Sequence, residues 1–407
     1  MPVDLESLRA PDYELGEAPR FWVWLLILLL VMGCGAGLTL YLWPADAPAS
    51  GWRFWTCLLG LPFVIYLLLF TLRMRDLENW RNQIYMEEQA RQEVEQNNTQ
   101  FGQQPLSLLH GIAWSAAGDL AQTLSSIQAP QPLLASLPVH GRRDEVTRHT
   151  HLPDKDTQDW QATPEARMAR RVKAALSKAL SSLHPALRAL PAKWPLHVEL
   201  QIDTDGVAVD VMALWRQQSA WREVQPAPAS ETLVAADGMA RLDQWLDQTD
   251  PKHYQDARLI IAAQFYERPP ANSAEAVCAL LLAWPQGEGE DRLHRPVGSQ
   301  NRAADAVLAE AQLFGDCEPE QLAALWSATG QHDDAPWASA LIRQQPQAAV
   351  VSIDRQLGHA GVAAEWLALL LAWQAAGPDT PQGFLTRHGE HAMLGLVYKE
   401  SGHAAQA

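Results

Sequence analysis

The chain has 407 residues, a formal net charge of −16 and four cysteines. That charge excludes a general nucleic-acid binder, which needs a basic footprint. Cys34, Cys57, Cys278 and Cys317 include no CxxC pair, which excludes a disulfide framework or a cysteine zinc site.

Residues 1–20 form a tail that carries Asp4, Glu6, Asp12, Glu14 and Glu17, unlike the short basic start of a signal peptide. Phe21–Trp43 and Phe54–Leu72 are uncharged runs, each long enough to cross a hydrocarbon core of roughly 30 Å. Trp22, Trp24, Tyr41, Trp43, Trp52 and Trp55 sit near their ends, as interfacial aromatics do. Residues 21–72 therefore read as a two-helix transmembrane anchor. Arg9 and Arg20 precede it and Arg73, Arg75 and Arg81 follow it, whereas the intervening loop has only Arg53. The positive-inside rule puts both termini in the cytoplasm and the short loop outside. Gly33 and Gly37 stand in GxxxG spacing, which serves either packing within the hairpin or dimerisation; packing within the hairpin is the reading preferred, because the second helix is tethered alongside.

Residues 73–104 alternate in charge and become Gln/Asn-rich, the pattern of a helical stalk that ends in a flexible linker. From Pro105 a strand is expected, then a small-residue turn at Ala116–Gly118 and a helix. Gln128–Asp159 reads as an irregular exposed loop, with His149 and His151 as solvated loop histidines rather than metal ligands. Thr163-Pro164-Glu165 starts a helix expected to run to about His184, before Pro185. Arg167, Arg170, Arg171, Lys173 and Lys178 make it basic: either a solvated face or a dock for an acidic partner or anionic headgroups.

His197–Trp215 is a strand with a hairpin at Asp205-Gly206 or a turn into a helix. Arg258–Gln264 and Ala276–Trp284 read as buried strands, Ala303–Phe314 as a helix, and Glu318–Leu325 as the opening of another. Ala348–Ile353 is a strand, Gly361–Ala375 a strongly apolar helix and His391–Tyr398 a closing strand. Trp215, Trp326 and Trp366 read as core or interface anchors. Strands and helices alternate, so residues 105–407 form an α/β domain with buried mixed sheet. No repeat with a period of about 20–50 residues is visible. Neither nucleotide-binding loops nor GxSxG or HExxH occur, and no cofactor or metal is expected.

Ser352–Trp373, SIDRQLGHAGVAAEWLALLLAW, resembles the ketosynthase segment of the thiolase superfamily that reads K-S-x-x-G-H-x-x-x-A-A-G before an apolar helix; Gly358-His359 and Ala363-Ala364 match. Leu109–Leu124 resembles that family's first strand, turn and helix, Glu318–Gly330 the stretch before its H-G-T-G-T motif, and Met393–Val397 its last strand. The resemblance implies a thiolase-like layered α/β domain. It also implies a nucleophilic cysteine in D-T-A-C-S-S-S, activated by two histidines and a helix N-terminus. Here Asp203-Thr204-Asp205-Gly206 would place Gly206 at the nucleophile. Ser327 stands for the first histidine and Asp354 for the lysine before Gly-His, leaving His359 alone. Without a nucleophile or a second histidine no acyl-enzyme can form.

A catalytically degenerate thiolase-like domain on a membrane anchor is similar to the type VI secretion lipase adapter family. That resemblance implies a non-enzymatic adapter that binds a phospholipase effector and delivers it to the secreted spike. The alternatives are a remodelled enzyme using His359, which requires an open pocket there, and a sensor or structural part of an envelope complex.

Overall fold

The computed structural model describes residues 21–44, 48, 51–129, 131–139, 142–153, 162–218, 228–234, 238–248, 250–287, 289–300, 302–330, 334–378, 380–389 and 391–399. The acidic tail lies outside them. The chain divides into two compact units, Val3–Asn98 and the portion containing Thr99–Ala407.

In the first unit, α1 (Phe21–Leu42) is followed by α2 (Trp52–Trp55), a π-helical turn (Thr56–Gly60) and α3 (Leu61–Gly102). Two helices, Phe21–Leu42 and Trp52–Gly102, are long and apolar enough to cross a membrane. The widened turn precedes Pro62, which has no N–H and crowds the carbonyl four residues back. Leu61 N–H reaches Thr56 O, five residues back. A Cβ on Gly35 would lie 2.1 Å from Pro62 Cγ, whereas Gly33 and Gly37 face open space. The contact within the hairpin therefore runs through Gly35. The expectation that Gly33 and Gly37 pack it is corrected: at about 100° per residue both lie on the opposite side of α1. Thr39 Oγ1 donates to Gly35 O at 2.8 Å and Cys57 O at 3.1 Å, and the Trp24 ring meets Phe70 edge-on at 5.1 Å. Beyond residue 72 the helix continues through the Gln/Asn-rich stretch to Gly102, so the expected flexible linker is helical.

The second unit begins with β1 (Leu106–Ser115), β2 (Gly118–Asp119) and α4 (Leu120–Gln128). Asp119 and Gln122 form a reciprocal capping box that starts α4. The segment read as an irregular loop contains a hairpin, β3 (Ala135–Val139) and β4 (Arg142–Thr150). The long α5 (Pro164–Ala189) starts where Thr163-Pro164 predicts but continues past Pro185. Proline costs less there because the last turns bury Leu183 and Leu187 fully.

β5 (Leu196–Asp203) turns at Asp205-Gly206 into α6 (Val211–Arg216), and β6 (Pro228–Leu233), α7 (Ala240–Leu246), β7 (Ala257–Gln264), β8 (Ser273–Ala274) and β9 (Ala276–Ala283) complete the first half. The second half comprises β10 (Arg292–Leu293), β11 (Val297–Gly298), α8 (Ala304–Phe314), β12 (Ala324–Ala328), α9 (Ala335–Gln344), β13 (Ala349–Ser352), α10 (Ile353–Leu357), α11 (Ala364–Ala375), β14 (Gln382–His388) and β15 (His391–Tyr398). The helix expected at Glu318–Leu325 is only a 3₁₀ turn, Pro319–Gln321, leading into β12. Pro319 suits a first turn, and the Leu325-Trp326 pair then enters the sheet.

The two halves repeat one topology. In the first, β5 is parallel to β6 and β7, β7 is antiparallel to β9, and β9 is antiparallel to β1. In the second, β12 is parallel to β13 and β14, β14 is antiparallel to β15, and β15 is antiparallel to β10. β1 and β10 join them antiparallel through Leu106↔Leu293 and Ser107↔Arg292.

Strands β7 and β9 are buried on both faces, so their apolar runs are continuous rather than alternating. Ile260, Ala262, Cys278 and Leu280 enter one core with α7 and α11; Leu259, Ile261, Ala279 and Leu281 enter the other, against α5. α11 packs on β9 of one half and on β12 and β14 of the other, which is why it is apolar all round. α8 and α9 cover the second half's other face, against β15 and β13. Trp366 and Trp326 satisfy their buried indoles on Gln201 and Gln382 at 2.8 and 3.1 Å.

Candidate functional site

The loop between β13 and α11 carries Gly358 and His359. Gly358 has φ 97°, and a Cβ there would lie 2.5 Å from Ser273 O, so both the conformation and the close approach demand glycine. This lets the backbone of His359 bridge to the loop at β8: His359 N–H donates to Asn272 O at 2.8 Å, and Ala274 N–H donates to His359 O at 2.9 Å. Thr150 Oγ1 anchors Leu357 O from the side at 2.7 Å. Gly361, φ 50°, sits against Gln264, whose Oε1 accepts Val362 N–H at 3.1 Å and whose Nε2 donates to Asp203 Oδ2 at 3.0 Å.

His359 faces a cavity of about 550 Å³ whose wall includes Tyr266, Asn272, Ser273, Gly330, Asp334 and Asp354. The imidazole is 43 % exposed, so it is neither sealed nor packed among apolar side chains. Its Nδ1 lies 3.3 Å from Asp354 Oδ1, and Asp354 Oδ2 accepts Gly330 N–H at 2.7 Å. The hydrogen bond to Asp354 raises the imidazole pKa above its usual value against the opposing effect of burial.

Ser327 is fully buried at the end of β12. Its Oγ donates to Asp334 Oδ1 at 2.8 Å, which also accepts Thr329 Oγ1 at 2.9 Å. Ser327, Asp354 and His359 therefore belong to one neighbourhood, linked through Asp334, Thr329 and Gly330. Gly206 is not among the residues lining that cavity; it sits in the positive-φ turn after β5, with open space where a Cβ would be. No cysteine stands in that turn. Nor does one stand in residues 234–239 before α7, the first-half counterpart of the His359 loop. There the Met239 N–H is held by Glu365 Oε2 of α11 at 2.7 Å. Among the described residues no group of His, Cys, Asp and Glu could hold a metal ion.

The basic stripe of α5 is corrected. Arg171 is buried against Glu275, and Arg167 is engaged by Glu267 and Ala162 O. Lys178 lies over the Trp114 ring at 4.3 Å. Arg170 and Lys173 are exposed. Two of the five cations, Arg167 and Arg171, are thus paired within the fold, because at helical spacing they share the stripe facing Glu267 and Glu275, while Lys178 stays exposed. His149 is also corrected; it is buried in β4, with Nδ1 2.9 Å from Thr147 O. The polar, charged sequence of β4 lacks the apolar alternation that marks a strand, so the hairpin is not legible locally.

No protein-family model matches the sequence, and no curated protein matches it. Among solved structures the chain is similar to the ketosynthase from module 6 of the bacillaene synthase of Bacillus subtilis 168, with 11% identity, a TM-score of 0.52, and coverage of 74% of this chain and 71% of that one. It is also similar to a ketosynthase domain of the oxazolomycin system of Streptomyces albus, with 12% identity, a TM-score of 0.50, and coverage of 74% and 76%. Against the PfaC keto synthase–chain length factor the identity is 12%, the TM-score 0.48 and the coverage 73%, and the chain spans 43% of that protein's length. The fold is the thiolase-like layered α/β fold with mixed sheet, as the motif resemblance implies; likeness at this identity concerns the fold alone.

Proposed function

We propose that this chain is a membrane-anchored, non-enzymatic adapter of a bacterial type VI secretion system. It holds a phospholipase-type effector at the cytoplasmic face of the inner membrane and presents it to the secreted spike. The observation that carries the non-enzymatic part is the state of the cysteines. Cys34 and Cys57 lie in the apolar helices. Cys278 is fully buried in β9, with its Sγ 3.7 Å from Ala363 O, and Cys317 is buried after α8. Desolvation pushes both thiols up, away from the thiolate that acyl transfer needs. Ser327 offers no substitute, being buried and committed to Asp334.

The test is affinity capture of the full chain, in detergent, from a host with type VI secretion. Recovery of a lipase and a spike protein supports the reading; their absence from every eluate rejects it. Cysteine-accessibility labelling of single-cysteine variants checks the topology: both ends must be protected from an impermeant reagent in intact cells.

The open setting of His359 favours a second reading, a remodelled enzyme in which the His359–Asp354 pair moves a proton. It requires turnover of an ester or thioester that His359→Ala abolishes. Lack of turnover by the intact protein rejects it. A sensor or structural role has no observation of its own here.

A further inference from the structure

Two arginines stand at the cavity that His359 faces, and their guanidiniums pair with no described residue. Arg148 comes from β4 and Arg355 from α10; both line the cavity and both are exposed. Among the described residues neither guanidinium has a hydrogen bond or ion pair, whereas Arg167, Arg171, Arg258, Arg295, Arg302 and Arg343 all do. The carboxylates of the same cavity are already engaged. Asp334 accepts two hydroxyls, and Asp354 accepts Gly330 N–H and faces His359. With His359 protonated, two guanidiniums and one imidazolium stand against two carboxylates. The described lining then carries one net positive charge, and none when His359 is neutral, in a chain of net −16.

We infer that this cavity binds a small organic anion, a carboxylate or a phosphate monoester, clamped between Arg148 and Arg355, with the Tyr266 and Asn272 side of the wall against its body. A planar guanidinium matches either group in two parallel hydrogen bonds. The two arginines sit on separate supports. Arg148 is fixed by its backbone, since its carbonyl accepts Asn272 N–H at 2.6 Å, and Arg355 follows Asp354 directly in α10. A ligand between them would tie the β3–β4 hairpin to the His359 loop. The volume, about 550 Å³, suits a metabolite rather than a polymer. The inference stands whether the domain is an adapter or an enzyme.

The experiment is calorimetric titration of the full chain in detergent with succinate in one arm and glycerol phosphate in the other. Saturable binding is expected in at least one arm, and the arm that binds names the anion. Arg148→Ala and Arg355→Ala should each weaken binding at least about tenfold, and the double variant should abolish it. Arg355→Lys should recover only part, because a point charge replaces a fork. The unfolding temperature without ligand should be unchanged in all variants, since neither side chain has a partner to lose. Absence of saturable binding in both arms up to about 10 mM overturns the inference, as does undiminished affinity in the double variant.

Discussion

His359 Nδ1 and Asp354 Oδ1 lie 3.3 Å apart, in a loop where the family resemblance expects a lysine at residue 354. A carboxylate in place of an ammonium reverses the local electrostatics. A lysine would discourage a charge on the histidine; Asp354 favours it, with a further contribution from Glu365.

Asp354→Asn is expected to lower the pKa of His359, read by NMR of the histidine ring against the other histidines. The linkage has a defined sign. The folded pKa is raised, so the stability contributed by this pair is fully present below about pH 6.5 and is lost as pH rises through the elevated folded value. The histidine is partly exposed, so the effect on overall stability is small; the ring titration is the sensitive measurement.

His294 titrates in the opposite sense. Burial holds it neutral in the folded state, with its pKa lowered to about 4. Among the described residues Nδ1 has no hydrogen-bond partner, and the ring packs edge-on against Tyr398 at 5.4 Å. The unfolded chain takes up this proton near pH 6.5, so stability falls as pH drops from there toward 4, by about 3 kcal/mol. Denaturant melts of His294→Phe should show a shallower acid limb than the parent; identical limbs would contradict the assignment.

The Arg171–Glu275 pair joins α5 to the β8–β9 connection, and both side chains are almost fully buried. Glu275 also accepts Leu152 N–H and Tyr266 N–H. Arg171→Met should destabilise the domain by roughly 3–5 kcal/mol, because it strands a buried carboxylate. Adding Glu275→Gln should recover much of the loss in the same melts.

Gly358→Ala meets two obstacles at once, a φ of 97° and the Ser273 carbonyl. A loss of at least about 2 kcal/mol is expected, together with displacement of His359 seen as a changed ring resonance. In the hairpin, Gly35→Leu should separate α1 from the helix bearing Pro62, while Gly33→Leu and Gly37→Leu should leave that contact intact. Disulfide trapping between cysteines placed at Trp24 and Phe70 reads the contact directly.

Much of the fold was legible in local pattern. The two uncharged runs, the Thr163-Pro164 helix start, the apolar runs of β7 and β9, and the all-round apolarity of α11 each reflect one element's own physical demand. Gly358-His359 was legible as well, since only glycine tolerates both the turn and the contact there.

Other features were decided by partners far away in the chain. The β3–β4 hairpin, β6 and β14 gain their order from neighbours rather than from their own periodicity. The twofold repeat of sheet order emerges only from the strand pairing, because two halves with the same hydrogen-bond topology need to share little more than burial. Which glycine packs the hairpin depended on where Pro62 falls on the facing helix. Which arginines are free depended on which carboxylates the fold brings near: Glu275 takes Arg171, while Arg148 and Arg355 are left facing the cavity. Charge is a property of the sequence; whether a charge is spent inside the fold is a property of distance.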